Sequence, residues 1–184
     1  MNRLLTIDLI DVGYVINEMA DRAVQLFETM SIEANDIILM GLFNACAQLG
    51  ESHGLVVGKK TFAKMNRRYR YNVNVLTSAL DMFIKCNDIA SAEAVFHEIP
   101  LKTVIKYGAM MKGFNKSNQP MKNFNLFERM KRESITPNEV IFLLLLDSCS
   151  QLGLLSRSRM IVQQIPSSSL ILPKVQTALI NMWV

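Results

Sequence analysis

The chain has 184 residues, half of them apolar and a fifth charged, which excludes a disordered tail and suits one globular domain or roughly five to six short repeats. Its 20 Lys and Arg against 16 Asp and Glu give a formal charge of +4, an excess that permits a polyanionic partner without arguing for one. Cys46, Cys86 and Cys149 are three in number and far apart, which excludes metal-ligand spacing and a disulfide framework and leaves buried thiols in a reducing compartment.

The N-terminal stretch Met1–Asp8 holds one Arg and soon meets Asp8 and Asp11. Signal and transit peptides are poor in acid, so no targeting segment is expected. Further along, Leu26-Phe27-Glu28-Thr29-Met30 returns as Leu126-Phe127-Glu128-Arg129-Met130. Ala45-Cys46-Ala47-Gln48-Leu49-Gly50 returns as Ser148-Cys149-Ser150-Gln151-Leu152-Gly153, and the stretch from Thr77 to Phe83 returns from Thr177 to Trp183 with one slipped residue. The offsets are 100, 103 and about 100 residues. That period is too long for one repeat of roughly 20–45 residues, so it reads as three unequal repeats that recur as a triplet.

Within 73–103, Val75, Leu76, Ala79, Leu80, Phe83 and Ile84 fall at three- and four-residue steps and form one apolar helix face. Asn87-Asp88 breaks that helix and caps a second one carrying Ala92, Val95, Phe96 and Ile99, which Pro100 stops. In 104–138 the pattern repeats, with Ala109, Met110, Gly113 and Phe114, a turn at Asn118-Gln119-Pro120, then Phe124, Leu126, Phe127 and Met130. Small residues such as Ala79, Ala92, Ala109 and Gly113 are expected to let paired helices approach closely. The run Ile141–Leu146, at six residues, is far short of the roughly 20 needed to cross a bilayer, so no membrane span is expected. The β-branched residues do not alternate, so no strand is expected.

The strings themselves resemble the pentatricopeptide repeat family. Thr77 to Asp88 looks like its "NALIDMYAKCGD" opening, and Ala92 to Pro100 looks like "ARKVFDEMP". Tyr107 to Phe114 resembles "WNAMISGY", Leu126 to Val140 resembles "LFREMKREGVKPNEV", and Asp147 to Leu155 resembles "SACSHLGLL". The resemblance covers nearly the whole chain and implies an all-α fold: a right-handed α-solenoid of stacked helix-turn-helix repeats, similar to tetratricopeptide arrays. It also implies standard, long and short repeats in rotation over 1–35, 36–72, 73–103, 104–138 and 139–172, with a partial one over 173–184 that stops within its first helix. The chain is therefore expected to be a fragment of a longer protein or a truncated product.

Members of this family bind single-stranded RNA, about one nucleotide per repeat. The resemblance carries over Thr77 and Thr103 as base readers of 73–103, with Lys85 for phosphate. In 104–138 it carries over Gly108 and Asn138 as readers, Ile105 as an aliphatic wedge between bases, and Lys116 for phosphate. Val140, at the second place of 139–172, is a further wedge. Several places depart from the family's pattern: Gly108 has no side chain, Met40 and Leu143 cannot hydrogen-bond, and Asp8 is charged. Weak base-specific readout follows. The family works mostly in mitochondria and chloroplasts, so an organelle is the implied location.

Lys64-Met65-Asn66-Arg67-Arg68-Tyr69-Arg70-Tyr71 is the densest basic stretch and interleaves aromatics, which suits stacking on nucleic acid, although it falls at the end of a second helix. No P-loop, zinc-deaminase signature or nucleophile-base set occurs, and His53 and His97 are too sparse to complete one. The expectation is a noncatalytic module of an RNA-processing or editing-type protein, without cofactor, metal or small-molecule substrate. A groove that binds protein partners, as related tetratricopeptide arrays do, is the alternative left open.

Overall fold

The computed structural model describes residues 19–30, 33–153 and 155–183. Among them every regular element is helical: α1 (Ala20–Thr29), α2 (Asp36–Leu49), α3 (His53–Lys64), α4 (Val73–Lys85), α5 (Ile89–Glu98), α6 (Val104–Lys116), α7 (Met121–Arg132), α8 (Glu139–Leu152), α9 (Leu155–Val162), α10 (Ser167–Leu170) and α11 (Pro173–Trp183). A 3-10 turn at Arg67–Tyr71 joins α3 to α4. The all-helical class expected from the sequence is the class found. Asp8 and the first helix of 1–35 lie outside the described residues.

The reason these segments are helices is visible at their ends. Asn35 caps α2 by accepting the Ile38 N–H at 2.8 Å, and Asn72 caps α4 by accepting from Asn74 and Val75 at 3.0 and 3.4 Å. Asp88 caps α5 through the Ser91 N–H at 3.3 Å, and Asn138 caps α8 through Ile141 at 3.2 Å. Each bond satisfies a first-turn donor that has no partner inside its helix. At the other end, Asn87, Asn118 and Ser134 turn into the left-handed region at φ 58, 59 and 56°. The following amides reach back to Phe83, Phe114 and Met130 carbonyls at 2.9, 2.8 and 3.0 Å. These Schellman closures let each helix stop within two residues and reverse into its partner.

The chain divides into two compact units, Met1–Leu101 and Lys102–Val184. In the first, α2 packs against α1, α3 and α4, and α4 packs against α3, α5 and the 3-10 turn. Its core holds Leu42, Phe43, Leu76, Leu80, Phe83, Phe96 and Ile99. Phe62 bridges Phe43 and Phe83, with ring centroids 6.3 and 5.6 Å apart, an arrangement in which aromatic edges meet faces. In the second unit, α8 packs against α6, α7, α9 and α11, around Tyr107, Phe114, Phe127, Met130, Ile141 and Leu145. Each fully buried side chain of this size stabilises by about 1.5–3 kcal/mol. All six face residues expected for α4 are buried.

Two close approaches between helices fall at Gly54 and Gly58 of α3. A Cβ on Gly54 would sit 2.2 Å from the Cys46 carbonyl oxygen of α2, and one on Gly58 would sit 2.6 Å from the Met82 Cε of α4. The obstacle at Gly54 is backbone, which moves only if the two helices part. At Gly58 it is the end of a flexible thioether that can swing aside. Gly54→Ala is therefore expected to cost about 1–3 kcal/mol or more in chemical denaturation, and Gly58→Ala distinctly less. Equal losses, or none at Gly54, would contradict the α2–α3 spacing.

Candidate nucleic-acid interface

Helices α2, α4, α6 and α8 begin alike. Each is preceded by a polar residue in extended conformation (Asn35, Asn72, Thr103 and Asn138), and the residue two places on lies in the first turn. In three of the four that residue is a large aliphatic left in solvent: Ile37, Ile105 and Val140 are 42, 77 and 53% exposed. The fourth is Asn74, also exposed. Exposed aliphatics are ordinary one at a time; the same place three times is not explained by packing. Ile105 and Val140 are the wedge residues expected from the sequence. Ile37 was missed, although its place in 36–72 is the same.

The reading residues are placed as follows. Thr77 is half-buried, and its hydroxyl donates to the Val73 carbonyl at 2.6 Å. Its proton is thereby used, and the oxygen remains an acceptor. Thr103 is exposed and makes no side-chain cap bond; it belongs to the second unit, whereas Thr77 belongs to the first. Asn138 is exposed and gives its Oδ1 to the α8 cap, which leaves the carboxamide nitrogen with two donors. Gly108 is buried, and a Cβ there would meet only the Ile141 Cδ1, at an ordinary 3.7 Å. The same proximity brings Gly108 beside the start of α8, and hence to the edge that carries Asn138 and Val140. Met40 and Leu143 are half-buried.

The two phosphate candidates differ electrostatically. Lys85, in the last turn of α4, pairs with Asp81 one turn back at 2.8 Å, with the two side chains 55 and 45% exposed. An exposed pair of this kind contributes only a few tenths of a kcal/mol. On α6 the place of Asp81 is taken by Lys112, so Lys112 and Lys116 repeat their charge along one exposed helix face. Lys116 has no acidic partner among the described residues. On α8 the two places hold Asp147 and Gln151, which hydrogen-bond at 3.1 Å. Of the first helices α6 and α8, the one with a basic end is therefore α6.

A buried polar cluster fixes that end. Asn123 of α7, fully buried, shares the two protons of its carboxamide nitrogen among Asn115 Oδ1 at 2.7 Å, Ser148 Oγ at 2.9 Å and the Met111 carbonyl at 3.1 Å. Asn115 in turn donates to the Leu144 carbonyl and Asp147 at 2.9 and 2.8 Å. Three helices are thus registered to one another one residue away from Lys116. Such networks specify a register more than they add stability.

Next to Gly108, Tyr107 is fully buried and donates its hydroxyl to Glu133 at 2.8 Å; Arg129 donates to the same carboxylate at 2.8 Å. Burial works against the Glu133 charge, but the bonds from Arg129 and Tyr107 outweigh it and hold the carboxyl below its ordinary value. Burial and the same carboxylate push the Tyr107 phenol up. Cys46, Cys86 and Cys149 are buried free thiols. Burial, with Cys86 and Glu28 nearby, pushes the Cys46 thiol up to about 12, so it packs rather than reacts. Among the described residues there is no group of three or more His, Cys, Asp or Glu able to hold a metal, and no helix is long and apolar enough to cross a membrane.

Stacked hairpins with polar caps at their first helices define a helical-repeat protein of the α-solenoid class. A family model described as PPR repeat matches residues 106–135. The chain is similar to a chloroplastic pentatricopeptide repeat-containing protein of Arabidopsis thaliana, with 30% identity over 170 residues, or 89% of this chain and 22% of that protein. A mitochondrial one from the same plant is 32% identical over 153 residues, or 80% of this chain and 22% of the relative. Another, chloroplastic/mitochondrial by name, is 32% identical over 144 residues, or 76% and 23%. The chain belongs to the pentatricopeptide repeat family. It spans about a fifth of the length of the curated relatives it matches.

The Glu133 cluster gives a pH signature. Its folded value is depressed, so its stabilisation is complete above the ordinary glutamate value and is lost as pH falls through the depressed one. Thermal melts from about pH 6 down to about pH 3 are expected to show the native chain losing more stability than Glu133→Gln. Parallel losses would remove Glu133 as a stabilising carboxylate.

Proposed function

We propose that the chain is a noncatalytic module that binds single-stranded RNA with weak sequence preference, as part of a longer RNA-processing or editing-type protein of a mitochondrion or chloroplast. Its repeats run in the standard, long and short order over 1–35, 36–72, 73–103, 104–138, 139–172 and 173–184. The observation that carries this reading is the exposed aliphatic at one recurring place, Ile37, Ile105 and Val140, each two residues after a polar residue, Asn35, Thr103 or Asn138. An aliphatic edge in water offers a base an apolar surface. The neighbouring amide or hydroxyl can meet the base edge, and the helix N-terminus favours an anionic backbone.

Weak preference follows from what each reading place can do. Thr77 accepts only, Gly108 offers nothing, and Met40 and Leu143 are apolar. Lys116, supported by Lys112, supplies the phosphate contact in the second unit, and Lys85 supplies it in the first after exchanging Asp81. The net charge of only +4 and the neutral Asp81–Lys85 pair favour a second reading, a groove for protein segments.

Salt separates the two readings. Fluorescence anisotropy with a random single-stranded RNA pool is expected to show binding that weakens from about 50 to about 200 mM salt, and Lys85→Ala/Lys116→Ala should lower the slope by about 0.7 per lost contact. Gly108→Asn, which has room for its Cβ, is expected to tighten binding and sharpen base preference. No binding at either salt by folded, helical protein would reject the RNA reading in favour of a protein groove.

A further inference from the structure

The positive charge of this chain is not spread over it. Residues 52–80 carry six Lys and Arg and no Asp or Glu, a formal +6 against +4 for the whole chain, so the remainder sums to −2. Two of the six are paired in the structure: Lys59 bonds Asp88 at 2.7 Å, and Arg68 lies 3.7 Å from Glu33 with its guanidinium over the Tyr69 ring. The others gather at the end of α3 and in the 3-10 turn. There Ala63, Met65, Arg67, Arg70 and Tyr71 line an open cleft of about 550 Å³, within the span of small-ligand clefts. No carboxylate lines it.

The cleft is built rather than incidental. Arg70 is held in place: its guanidinium donates to the Phe62 carbonyl at 3.3 Å and lies 5.2 Å from the Phe62 ring centroid. Arg67 is exposed, and Tyr71 stands 79% exposed with its ring in solvent. Tyr71 directly precedes Asn72, the polar residue that caps α4, so the cleft adjoins the edge at which the proposed reading places begin.

We propose that this cleft is a second RNA contact, outside the row of first-helix turns, in which a base stacks on Tyr71 while Arg67 and Arg70 hold its phosphate. The chemistry is that of a single-stranded nucleotide: a planar face for a planar ring, two guanidiniums for a phosphodiester, and an apolar floor from Ala63 and Met65. An acidic peptide would use the guanidiniums but has no use for the exposed ring. The inference rests on the RNA reading above and extends the strand's path beyond it.

The test uses the full chain with a labelled oligouridylate of about 20 nucleotides, long enough to occupy several repeats and the cleft at about one nucleotide each. Arg67→Ala/Tyr71→Ala is expected to weaken binding roughly tenfold, whereas Tyr71→Phe, which keeps the ring, should bind as the native chain does. Photocrosslinking with 4-thiouridine in the same oligonucleotide should label the peptide containing Tyr71. Both substituted residues are exposed, and melting curves check that the variants stay folded.

Unchanged affinity in Arg67→Ala/Tyr71→Ala, with a loss in Lys112→Ala/Lys116→Ala, would overturn the second contact and leave the RNA reading standing. Absence of binding by the native chain would overturn both. Capture of an Asp- and Glu-rich peptide by the native chain but not the double variant, with RNA affinity unchanged, would assign the cleft to protein.

Discussion

A hairpin of two short helices buries one stripe of each against the other and leaves the next stripe wet. The rest of this structure depends on covering that stripe with the following hairpin. The first helices bear the burden. In the first unit α2 contacts α1, α3 and α4, and in the second α8 contacts α6, α7, α9 and α11. Their middles are consequently apolar on several sides, as in Ile141–Leu146, and little of their length remains for chemistry. What stays available is the first turn, where the residue two places beyond the cap is exposed, and the last turn, where Lys85 and Lys116 emerge.

That division explains why the proposed interface is sparse. A residue in the first turn must first satisfy the helix end, and Asn35, Asn72 and Asn138 do so with their side-chain oxygens. The same residue type serves a cap and a base edge: the cap takes the acceptor and leaves the donors of Asn138, whereas the Asn72 nitrogen already donates to Asp36 at 3.3 Å. Thr77 is constrained differently, since its hydroxyl closes on the carbonyl one turn back. The aliphatics Ile37, Ile105 and Val140 have no such duty, which is why their repetition is the more informative signal.

The helices and their breaks were legible because the period of burial and the breakers agree at each hairpin. The face of α4 and the stop at Asn87-Asp88 are written in apolar spacing and in a residue tolerant of positive φ. Less legible was whatever depends on distance between elements. Nothing in the composition of α3 distinguishes Gly54, pressed on the Cys46 carbonyl, from a glycine in open space such as Gly50. Asn123 looks like a surface residue of a polar helix, yet it is fully buried because Asn115, Ser148 and the Met111 carbonyl are there to meet it. The basic run after α3 was visible as a string, but the pairing of Lys59 and Arg68, which leaves Arg67, Arg70 and Tyr71 to form a cleft, was not. Of the candidate site, Ile105 and Val140 were legible from their repeat place, and Ile37 holds the same place in 36–72.

The central claim is that RNA bases lie against the first-turn aliphatics, and methyl NMR reports on that directly. In protein labelled at Ile and Val methyls, titration with single-stranded RNA should move the Ile37, Ile105 and Val140 signals upfield, as ring currents from stacked bases require. Val56 of α3 and Ile171, which are as exposed but lie elsewhere, should stay in place. Unmoved signals from Ile37, Ile105 and Val140 at saturating RNA, or shifts confined to Val56 and Ile171, would contradict the account.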